Sequence, residues 1–432
     1  MAVDDLWHLA RPKGSAKPCG EHGKLVPSDR HGRGKRWRVR YTDPEGKPKT
    51  EAFDKRTDAD AFDAKVRTDV RRGEYIDPDA GNVTLRAYAE SWLKGRAVAP
   101  STREGMEIRF RNHIYPKLGN KKLRELATEP TAVREWHKTL FAKGLSRGYI
   151  ETIFKNLSSV LAAAVEDKKM ASNPCQLKTV KPPRPEKRKV VPWEQGRVLA
   201  VREGLPERYQ ATLDGGAGAG MRQGEVLGLA VDDVDFLRFD IHVRRQVGQV
   251  HGRLVFAPPK FGKDRHVPLS EELAQSWAAH LQQWPARTIT LPWIEPDGKP
   301  VTARLIFSSR EGKAVNRNYF NAHLWKPALV AAGVIPEPEP GERYDPSRDQ
   351  GFHQLRHYWA SVLLAEGVDI RTLAEYLGHE DPGFTLRTYT HLMQSSADKA
   401  RRAAGTALRA STVDAPGLAA PGDVPSLYRV AR

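Results

Sequence analysis

A basic stretch interrupted by prolines, KKMASNPCQLKTVKPPRPEKRK at 168–189, is the feature that most constrains how this chain can fold. Proline has no backbone N–H to donate, and its ring clashes with the preceding turn of a helix. A regular helix through this stretch is therefore excluded by Pro174, Pro182, Pro183 and Pro185. We predict an extended basic linker at 180–190, so that the chain folds as separate parts on its two sides.

The part before the linker is predicted to hold two domains. In RWRVRYTDPEGKPKTEAF, apolar residues and arginines alternate with the period of a β-strand, and DPEG is typical of a hairpin turn. A helix is expected at 57–72, which gives a small β-hairpin and helix domain at 35–80. The residues at 1–34 are rich in glycine, proline and charge, and we expect a flexible segment there.

The stretch 84–179 has a helical pattern throughout. In SRGYIETIFKNLSSVLAAAVEDKK, apolar residues recur three and four apart, and Ser146 is the expected N-cap. After the linker, 191–410 mixes helices with short strands, and the tail at 411–432 is expected to be disordered. The predicted fold class is multidomain α+β: a small hairpin domain, an all-α helical bundle, and a mainly α domain with a small antiparallel sheet.

The chain is strongly basic, with a formal net charge of +17 at pH 7 and a pI near 9.8. Such an excess indicates a nucleic acid or another anionic partner. An arginine-rich edge strand that only resists aggregation is the alternative for the first predicted strand. The candidate DNA-binding residues lie in that strand, in the helical region and in the linker: Arg36, Arg38, Arg40, Lys121, Lys122, Lys181, Arg184 and Lys187.

The two cysteines, Cys19 and Cys175, lie in different regions and form no metal-type pair. They argue against a disulfide framework and fit a reducing cytosol. No apolar run approaches the roughly 20 residues that cross a bilayer. The opening residues MAVDDLWHLARPKG have acids where a signal peptide has lysines. The sequence therefore predicts a cytoplasmic protein with no membrane partner.

The segment GFHQLRHYWAS, at 351–361, raises a choice between a metal and a phosphate. On a helix, His353, Arg356 and His357 share one face. Two histidines four apart suit zinc, but the general base of the HExxH motif is replaced by Gln354. Because Arg356 would also place a cation beside the ion, we predict no metal and a phosphate instead.

Two further segments supply cations for a phosphate site. GAGAGMRQGEVLGL places Arg222 after a glycine-rich bend at the start of a helix, with Glu225 one turn on to hold it. APPKFGKDRHVPL is predicted to form two strands with Lys260 and Lys263 near the tip of a hairpin. A lysine that reaches a scissile phosphate can protonate the leaving oxygen.

The segment LAEYLGHEDPGFTLRTYTHL adds a histidine and a nucleophile. His379 follows a glycine that ends a helix, and Tyr389 lies about two turns into the next helix. Two arginines, Arg222 and Arg356, can clamp the non-bridging oxygens of a phosphodiester and stabilise its pentacovalent transition state. Tyr389 would then attack the phosphorus, its phenol activated by nearby cations, with no metal or other cofactor.

The order and spacing of these motifs resemble those of the tyrosine site-specific recombinases, in particular the phage-type integrases. The matching residues are Arg222 in GMRQGEVLGL, Lys260 in PPKFGKDRHVPL, His353 and Arg356 in HxLR, His379 in LGH, and Tyr389. The region 84–179 resembles the core-binding domain of that family, and 35–80 resembles its arm-type DNA-binding domain. The resemblance makes 191–410 the catalytic domain.

The resemblance implies strand cleavage and exchange through a 3′-phosphotyrosyl intermediate, which integrates or excises a phage or another mobile element. Tyr389 would be the nucleophile, and Arg222 and Arg356 would stabilise the transition state. Lys260 would be the general acid, with Lys263 close enough to compete for that role. The remaining candidates are His353 and His379 for proton transfer, and Glu225 as a supporting residue.

The implied partner is double-stranded DNA, in two attachment-type sites held by a homotetramer. A directionality factor, a DNA-bending host protein and a helix at 393–410 exchanged between neighbours are also expected. The alternatives are a catalytically inactive DNA-binding regulator on the same scaffold and a type IB topoisomerase-like enzyme. The complete residue set argues against the first, and the arm-like domain and basic linker argue against the second.

Overall fold

The computed structural model describes residues 2–12, 17–73, 75–77, 79–182, 189–344 and 348–389, together with 401–402, 404–406 and 408. The chain divides into two compact units, Met1–Glu186 and Lys187–Arg432. Arg184, Lys187, the tail at 411–432 and most of 393–410 lie outside the described residues. Within the described part of the chain, no helix has both the length and the apolar character of a membrane-spanning segment.

The first unit opens with a three-stranded antiparallel sheet in the order β1-β2-β3. Its strands are β1 (Ala2–Asp5), β2 (Trp37–Thr42) and β3 (Pro48–Phe53). Helix α1 (Arg56–Arg72) follows and packs on the sheet, where Val39 and Tyr41 are buried. Gly46 donates its backbone N–H to the Asp43 carbonyl at 3.0 Å in the turn between β2 and β3. The hairpin and helix expected from alternation therefore form.

The segment 1–34 is not the loose region that its composition suggested. β1 pairs with β2 along its whole length, and the following chain is held by hydrogen bonds such as Ser28 N–H to the Trp7 carbonyl at 2.8 Å. The reason is that Val3 packs against the small core, Asp4 lies opposite Arg38 of β2, and Asp5 forms an ion pair with Arg36 just before β2. For its described residues, the expectation of flexibility was wrong.

The rest of the first unit is helical. Its helices are α2 (Leu85–Gly95), α3 (Pro100–Arg109), α4 (Tyr115–Leu118), α5 (Leu123–Thr128), α6 (Pro130–Ala142) and α7 (Arg147–Glu166). Ser146 caps α7 as predicted, its Oγ accepting the Tyr149 backbone N–H at 3.3 Å. The apolar positions of α7 spaced three and four apart form the centre of this bundle: Ile150, Ile153, Leu157, Val160 and Leu161.

The second unit mixes helices with short antiparallel strands. Its helices are α8 (Gln195–Gly204), α9 (Glu207–Ala219), α10 (Gln223–Leu227), α11 (Glu271–Gln283), α12 (Arg317–Phe320), α13 (Lys326–Ala331), α14 (His353–Ala365), α15 (Ile370–Leu377) and α16 (Pro382–Tyr389). Its strands are β4 (Val234–Asp235), β5 (Asp240–Val243), β6 (Gln246–Val250), β7 (Arg253–Ala257), β8 (Arg265–Pro268), β9 (Arg287–Pro292) and β10 (Pro300–Leu305). The sheets are β4-β5-β8, β6-β7 and β9-β10.

The glycine-rich run before Arg222 is mostly helical, which corrects the expected bend. Gly215, Gly216 and Gly218 lie inside α9, where the missing side chains allow close packing. A Cβ added to Gly216 would come within 2.9 Å of Leu355. The chain turns at Gly220, which has a φ of 58° and lies so close to the Trp359 ring that a Cβ would collide with it. α9 is therefore packed tightly against α14.

The strands around Lys260 do not form a hairpin with each other. β7 pairs with β6, and β8 pairs with β5. The reason is that Val267 of β8, and Leu269 just after it, are buried in the core that also contains Ile241 of β5. Lys260–Gly262 therefore forms a short 3₁₀ turn in the connection between two separate sheets.

Candidate active site

Glu225, at the middle of the short helix α10, is the buried anchor of the site. Its carboxylate accepts the Arg222 backbone N–H at 2.9 Å and the Arg222 Nη1 at 2.8 Å, as the sequence spacing suggested. Arg265 adds two hydrogen bonds, from Nη2 at 2.7 Å and Nη1 at 3.1 Å. Burial alone would raise the pKa of Glu225, but Arg265, Arg222 and Arg356 lower it to about 2. The carboxylate is therefore ionised at neutral pH.

Arg265 is a site residue that the sequence analysis missed. It is 6% exposed and also donates from Nε to the Tyr376 carbonyl at 2.6 Å. Alternation along the strand could have indicated that Arg265 is buried. Arg265, Val267 and Leu269 are every second residue along β8 and its end, and all three are buried. A buried arginine needs a partner, but its partner here is not the adjacent Asp264; it is Glu225, 40 residues away in the sequence.

Arg356 lies on α14 and is 1% exposed. Its Nη1 donates to the Gly220 carbonyl at 2.8 Å, and its Nη2 donates to the Leu377 carbonyl. These carbonyls lie at the C-terminal ends of α9 and α15, where helix dipoles favour a cation. Burial and the charge of Arg222 lower the pKa of Arg356, but a guanidinium remains protonated at neutral pH.

The charges of this cluster do not balance. Arg222, Arg265 and Arg356 surround the single carboxylate of Glu225, and the Arg222 side chain retains 18% exposure. An excess of guanidinium charge with one exposed member favours an anion with planar oxygen pairs, such as a phosphodiester. The same excess disfavours a divalent cation.

His353 and His379 border the arginines. His353 is the first residue of α14 and is exposed. His379 follows Gly378, and its Nδ1 forms a hydrogen bond of 2.7 Å with Thr385 Oγ1. The pKa of His379 is lowered to about 3 by burial, then by Arg356 and Arg222. The pKa of His353 is lowered as well, first because protein atoms displace water and then by nearby cations. Both rings are therefore neutral at pH 7.

Tyr389, the last described residue of α16, is buried, with 1% of its surface exposed. Its hydroxyl lies 2.7 Å from His357 Nδ1. Burial raises the pKa of this phenol to about 12, although the charge of Arg356 acts in the opposite direction. The predicted activation of the phenol by cations is therefore outweighed by burial in this conformation.

His357 is the second site residue that the sequence analysis did not select. It follows Arg356 directly, and its ring lies 4.7 Å from that of His353. Burial and the charge of Arg356 lower its pKa to about 4. The signal was its position one turn after His353 on the same helix face, which was considered only for a metal.

Lys260 and Lys263 are both exposed in the connection between β7 and β8. Lys260 Nζ lies 5.1 Å from the centroid of the Phe261 ring, and its charge contributes to lowering the pKa of His353. Phe261 has a φ of 72°, which is uncommon for a residue other than glycine. The structure thus brings Lys260 near His353, on a loop rather than on a rigid strand.

Several of the candidate DNA-contact residues form ion pairs within the protein, which the sequence did not suggest. Arg36 pairs with Asp5 at 2.8 Å, and Arg38 and Arg40 pair with Asp4 at 3.1 Å and 2.7 Å. The expected cationic face of β2 is therefore partly neutralised by β1. In the bundle, Lys121 lies 3.8 Å from Glu129 and Lys122 is half-buried, whereas Lys181 beyond it is exposed.

The fold of the chain is similar to that of integrases of known structure. It matches the Tn1549 transposon integrase in complex with a circular intermediate DNA with a TM-score of 0.60 at 19% identity, over 75% of this chain and 99% of that one. A lambda integrase tetramer bound to a Holliday junction matches with a TM-score of 0.52 at 15% identity, over 81% of this chain and 91% of that one.

Sequence comparison gives the family. The phage integrase family matches residues 198–396, and the phage integrase N-terminal SAM-like domain matches residues 84–141. A putative prophage phiRv2 integrase of Mycobacterium tuberculosis is 27% identical over 366 residues, which cover 82% of this chain and 88% of the relative. The chain thus contains a phage integrase family domain and a phage integrase N-terminal SAM-like domain, and it is a tyrosine site-specific recombinase.

Proposed function

We propose that this recombinase cleaves DNA with Tyr389 as its nucleophile, inside the arginine cluster around Glu225. The phenolic oxygen forms a bond to phosphorus, and the bond from phosphorus to the 5′-oxygen breaks. Lys260 donates the proton that the departing 5′-oxygen needs. A 5′-hydroxyl of the partner strand then attacks the 3′-phosphotyrosyl link and releases Tyr389, so the bond energy is conserved and ATP is not required.

The observation that carries this proposal is the excess of guanidinium charge beside a buried tyrosine. Arg222 and Arg356 would bind the non-bridging oxygens and stabilise the charge that develops on them. His353 and His379, both neutral at pH 7, would accept and donate protons near the phosphate. Glu225 and Arg265 would position Arg222 without contacting the substrate.

The proposal includes the assembly in which the reaction occurs. Four protomers would hold two double-stranded attachment sites, with a directionality factor and a DNA-bending host protein as further partners, in the cytoplasm. The arrangement is supported by the lambda integrase tetramer on a Holliday junction, which shares this fold.

We also propose that 35–80 acts as an arm-type DNA-binding domain and that 84–179 is the core-binding domain. Integration or excision of a phage or other mobile element would be the outcome of the reaction.

A nicked suicide substrate tests the nucleophile. On such DNA the short fragment that bears the new 5′-hydroxyl diffuses away after cleavage, so religation cannot occur. The covalent protein–DNA adduct therefore accumulates and is resolved on a denaturing gel. We expect the wild-type chain to form the adduct and Tyr389→Phe to form none. Tyr319→Phe, which removes an exposed hydroxyl, is the matched control and should react like wild type.

Two outcomes would redirect the proposal. If the wild-type chain bound its DNA but gave no adduct on any candidate site, the DNA-binding regulator would be favoured. If it relaxed supercoiled plasmids without a specific site, the topoisomerase-like alternative would be favoured. An adduct retained in Tyr389→Phe would show that another residue is the nucleophile.

A further inference from the structure

Four potential metal ligands converge in the N-terminal region, far in sequence from the active-site motifs. One ligand atom from each side chain of His8, Cys19, His22 and His31 lies within 4.8 Å of the others. His8 and Cys19 are buried, and His22 and His31 are half-buried. No metal was expected from the sequence, and Cys19 had no predicted role, because no second cysteine is near it. We call these four residues the N-terminal cluster.

Three of the four ligand atoms are spaced as in a tetrahedral site, and the fourth, from His8, lies within 4.8 Å of them. Cys19 Sγ lies 3.1 Å from His31 Nε2 and 3.4 Å from His22 Nδ1, and those two nitrogens are 3.3 Å apart. Zinc bonds of about 2.0–2.1 Å to nitrogen and about 2.3 Å to sulfur place tetrahedral ligands roughly 3.3–3.6 Å from each other. The observed distances agree with that range to within a few tenths of an ångström.

His8 provides independent evidence for a ligand. Its Nδ1 lies 2.9 Å from Asp5 Oδ2, and Asp5 is itself held by Arg36 at 2.8 Å. That carboxylate fixes the ring proton on Nδ1 and leaves the lone pair of Nε2 to the cluster. Nε2 has no hydrogen-bond partner among the described residues, although His8 is only 5% exposed. A carboxylate behind a histidine is the usual way of orienting a metal-bound imidazole.

We propose that the N-terminal cluster binds one Zn²⁺ ion in a structural site. Four protein ligands of nitrogen and sulfur leave no open position for a substrate, which is typical of structural rather than catalytic zinc. The Cys19 thiol loses its proton to solvent as the zinc–sulfur bond forms.

The site would fasten the chain between the first two strands. His8 lies just after β1, Cys19 and His22 form a Cys-x-x-His turn, and His31 precedes β2. One ion would thus hold the loop against the sheet that carries Arg36, Arg38 and Arg40. The proposal does not depend on the strand-transfer chemistry, since none of the four ligands belongs to the active site.

Metal analysis of the full-length protein, purified without chelator, tests the site. We expect about one zinc per wild-type chain and roughly a tenth of that in Cys19→Ala and His31→Ala. Cys175→Ala is the matched control, because it removes the other free, buried cysteine and should keep the zinc. Zinc retained in Cys19→Ala, or a different metal in stoichiometric amount, would overturn the assignment.

Cobalt provides a spectroscopic test that does not depend on which metal the protein contains after purification. Chelator-treated wild-type protein titrated with Co²⁺ should show the intense visible bands of tetrahedral cobalt and a thiolate-to-cobalt charge-transfer band. The charge-transfer band should be lost in Cys19→Ala and retained in Cys175→Ala. A wild-type chain that contains no metal as purified and gives no such band would refute the site.

A variant that keeps all four ligands guards against misfolding of the ligand variants. Asp5→Asn removes the carboxylate that orients His8 and pairs with Arg36, and it should weaken zinc affinity about 10- to 100-fold in competition with a chromophoric chelator. Chelation of wild-type protein should also lower its melting temperature, and added zinc should restore it. Unchanged affinity in Asp5→Asn together with unchanged melting on chelation would overturn the structural role.

Discussion

The molecule contains two groups of histidines whose surroundings differ in sign. The N-terminal cluster combines imidazoles with a thiol and is backed by the carboxylate of Asp5. The second group, which we call the arginine-flanked cluster, consists of His353, His357 and His379. Its rings lie beside guanidinium groups, and burial, followed by neighbouring charges that include Arg356, lowers all three pKa values.

The comparison shows that histidine alone does not specify a ligand. An imidazole backed by a carboxylate and facing a thiol offers electron pairs to a cation. An imidazole beside guanidinium groups faces a site in which an added cation would be repelled and an anion attracted. Charge in the surrounding shell, rather than the number of histidines, therefore separates a proposed zinc site from a proposed phosphate site.

The largest effect is expected from Arg356→Ala. Its guanidinium would stabilise the transition state at phosphorus, and losing such an arginine costs about 10³-fold or more in rate. Single-turnover cleavage of the suicide substrate measures the loss, and circular dichroism confirms folding. Zinc content should remain that of wild type, since the N-terminal cluster is separate. Cleavage near the wild-type rate would remove the central argument for the arginine-flanked cluster.

A smaller loss is expected at the lysine. Lys260→Ala should slow cleavage by about 10²-fold because the leaving 5′-oxygen lacks its general acid. Lys263→Ala, the matched control on the same loop, should stay within a few-fold of wild type. A substrate with sulfur in place of the 5′-bridging oxygen needs no protonation and should restore Lys260→Ala. The reverse ranking of the two variants would assign the role to Lys263.

The smallest effect concerns acid stability. The pKa of His357 is about 4 in the folded chain, below its ordinary value of 6.5. As pH falls below 6.5 the unfolded chain binds a proton that the folded chain does not, so stability present above pH 6.5 is lost towards pH 4. Each such histidine contributes a slope of up to about 1.4 kcal/mol per pH unit.

Urea denaturation at pH 7 and pH 5 measures this slope. His357→Gln should reduce the stability lost between the two pH values by about 1–2 kcal/mol. His323→Gln, which replaces an exposed histidine of the same unit, is the control and should leave the loss unchanged. If both variants behaved alike, the arginine-flanked cluster would not resist protonation as described.

Local patterns in the sequence were sufficient for the first hairpin, for the longest helices and for most active-site candidates, but not for β1, for the helical glycine-rich run or for the pairing of β7 and β8. The periodicity before Arg72 and after Ser146 predicted α1 and α7 to within a residue or two at their starts. The motifs containing Arg222, Arg356 and His379 identified side chains that the fold brings together. These features depend on spacings of one to four residues, which the chemistry of helices and strands fixes locally.

Tertiary structure decided what depended on residues far apart in the chain. The partnership of Glu225 with Arg265, the hydrogen bond of Tyr389 with His357, and the convergence on Cys19 have no local signature. The sequence by itself determined which side chains are available and which face of each element they occupy. Their distances, burial and charges were set by packing between distant segments, because hydrophobic burial is non-directional and does not specify partners by spacing along the chain.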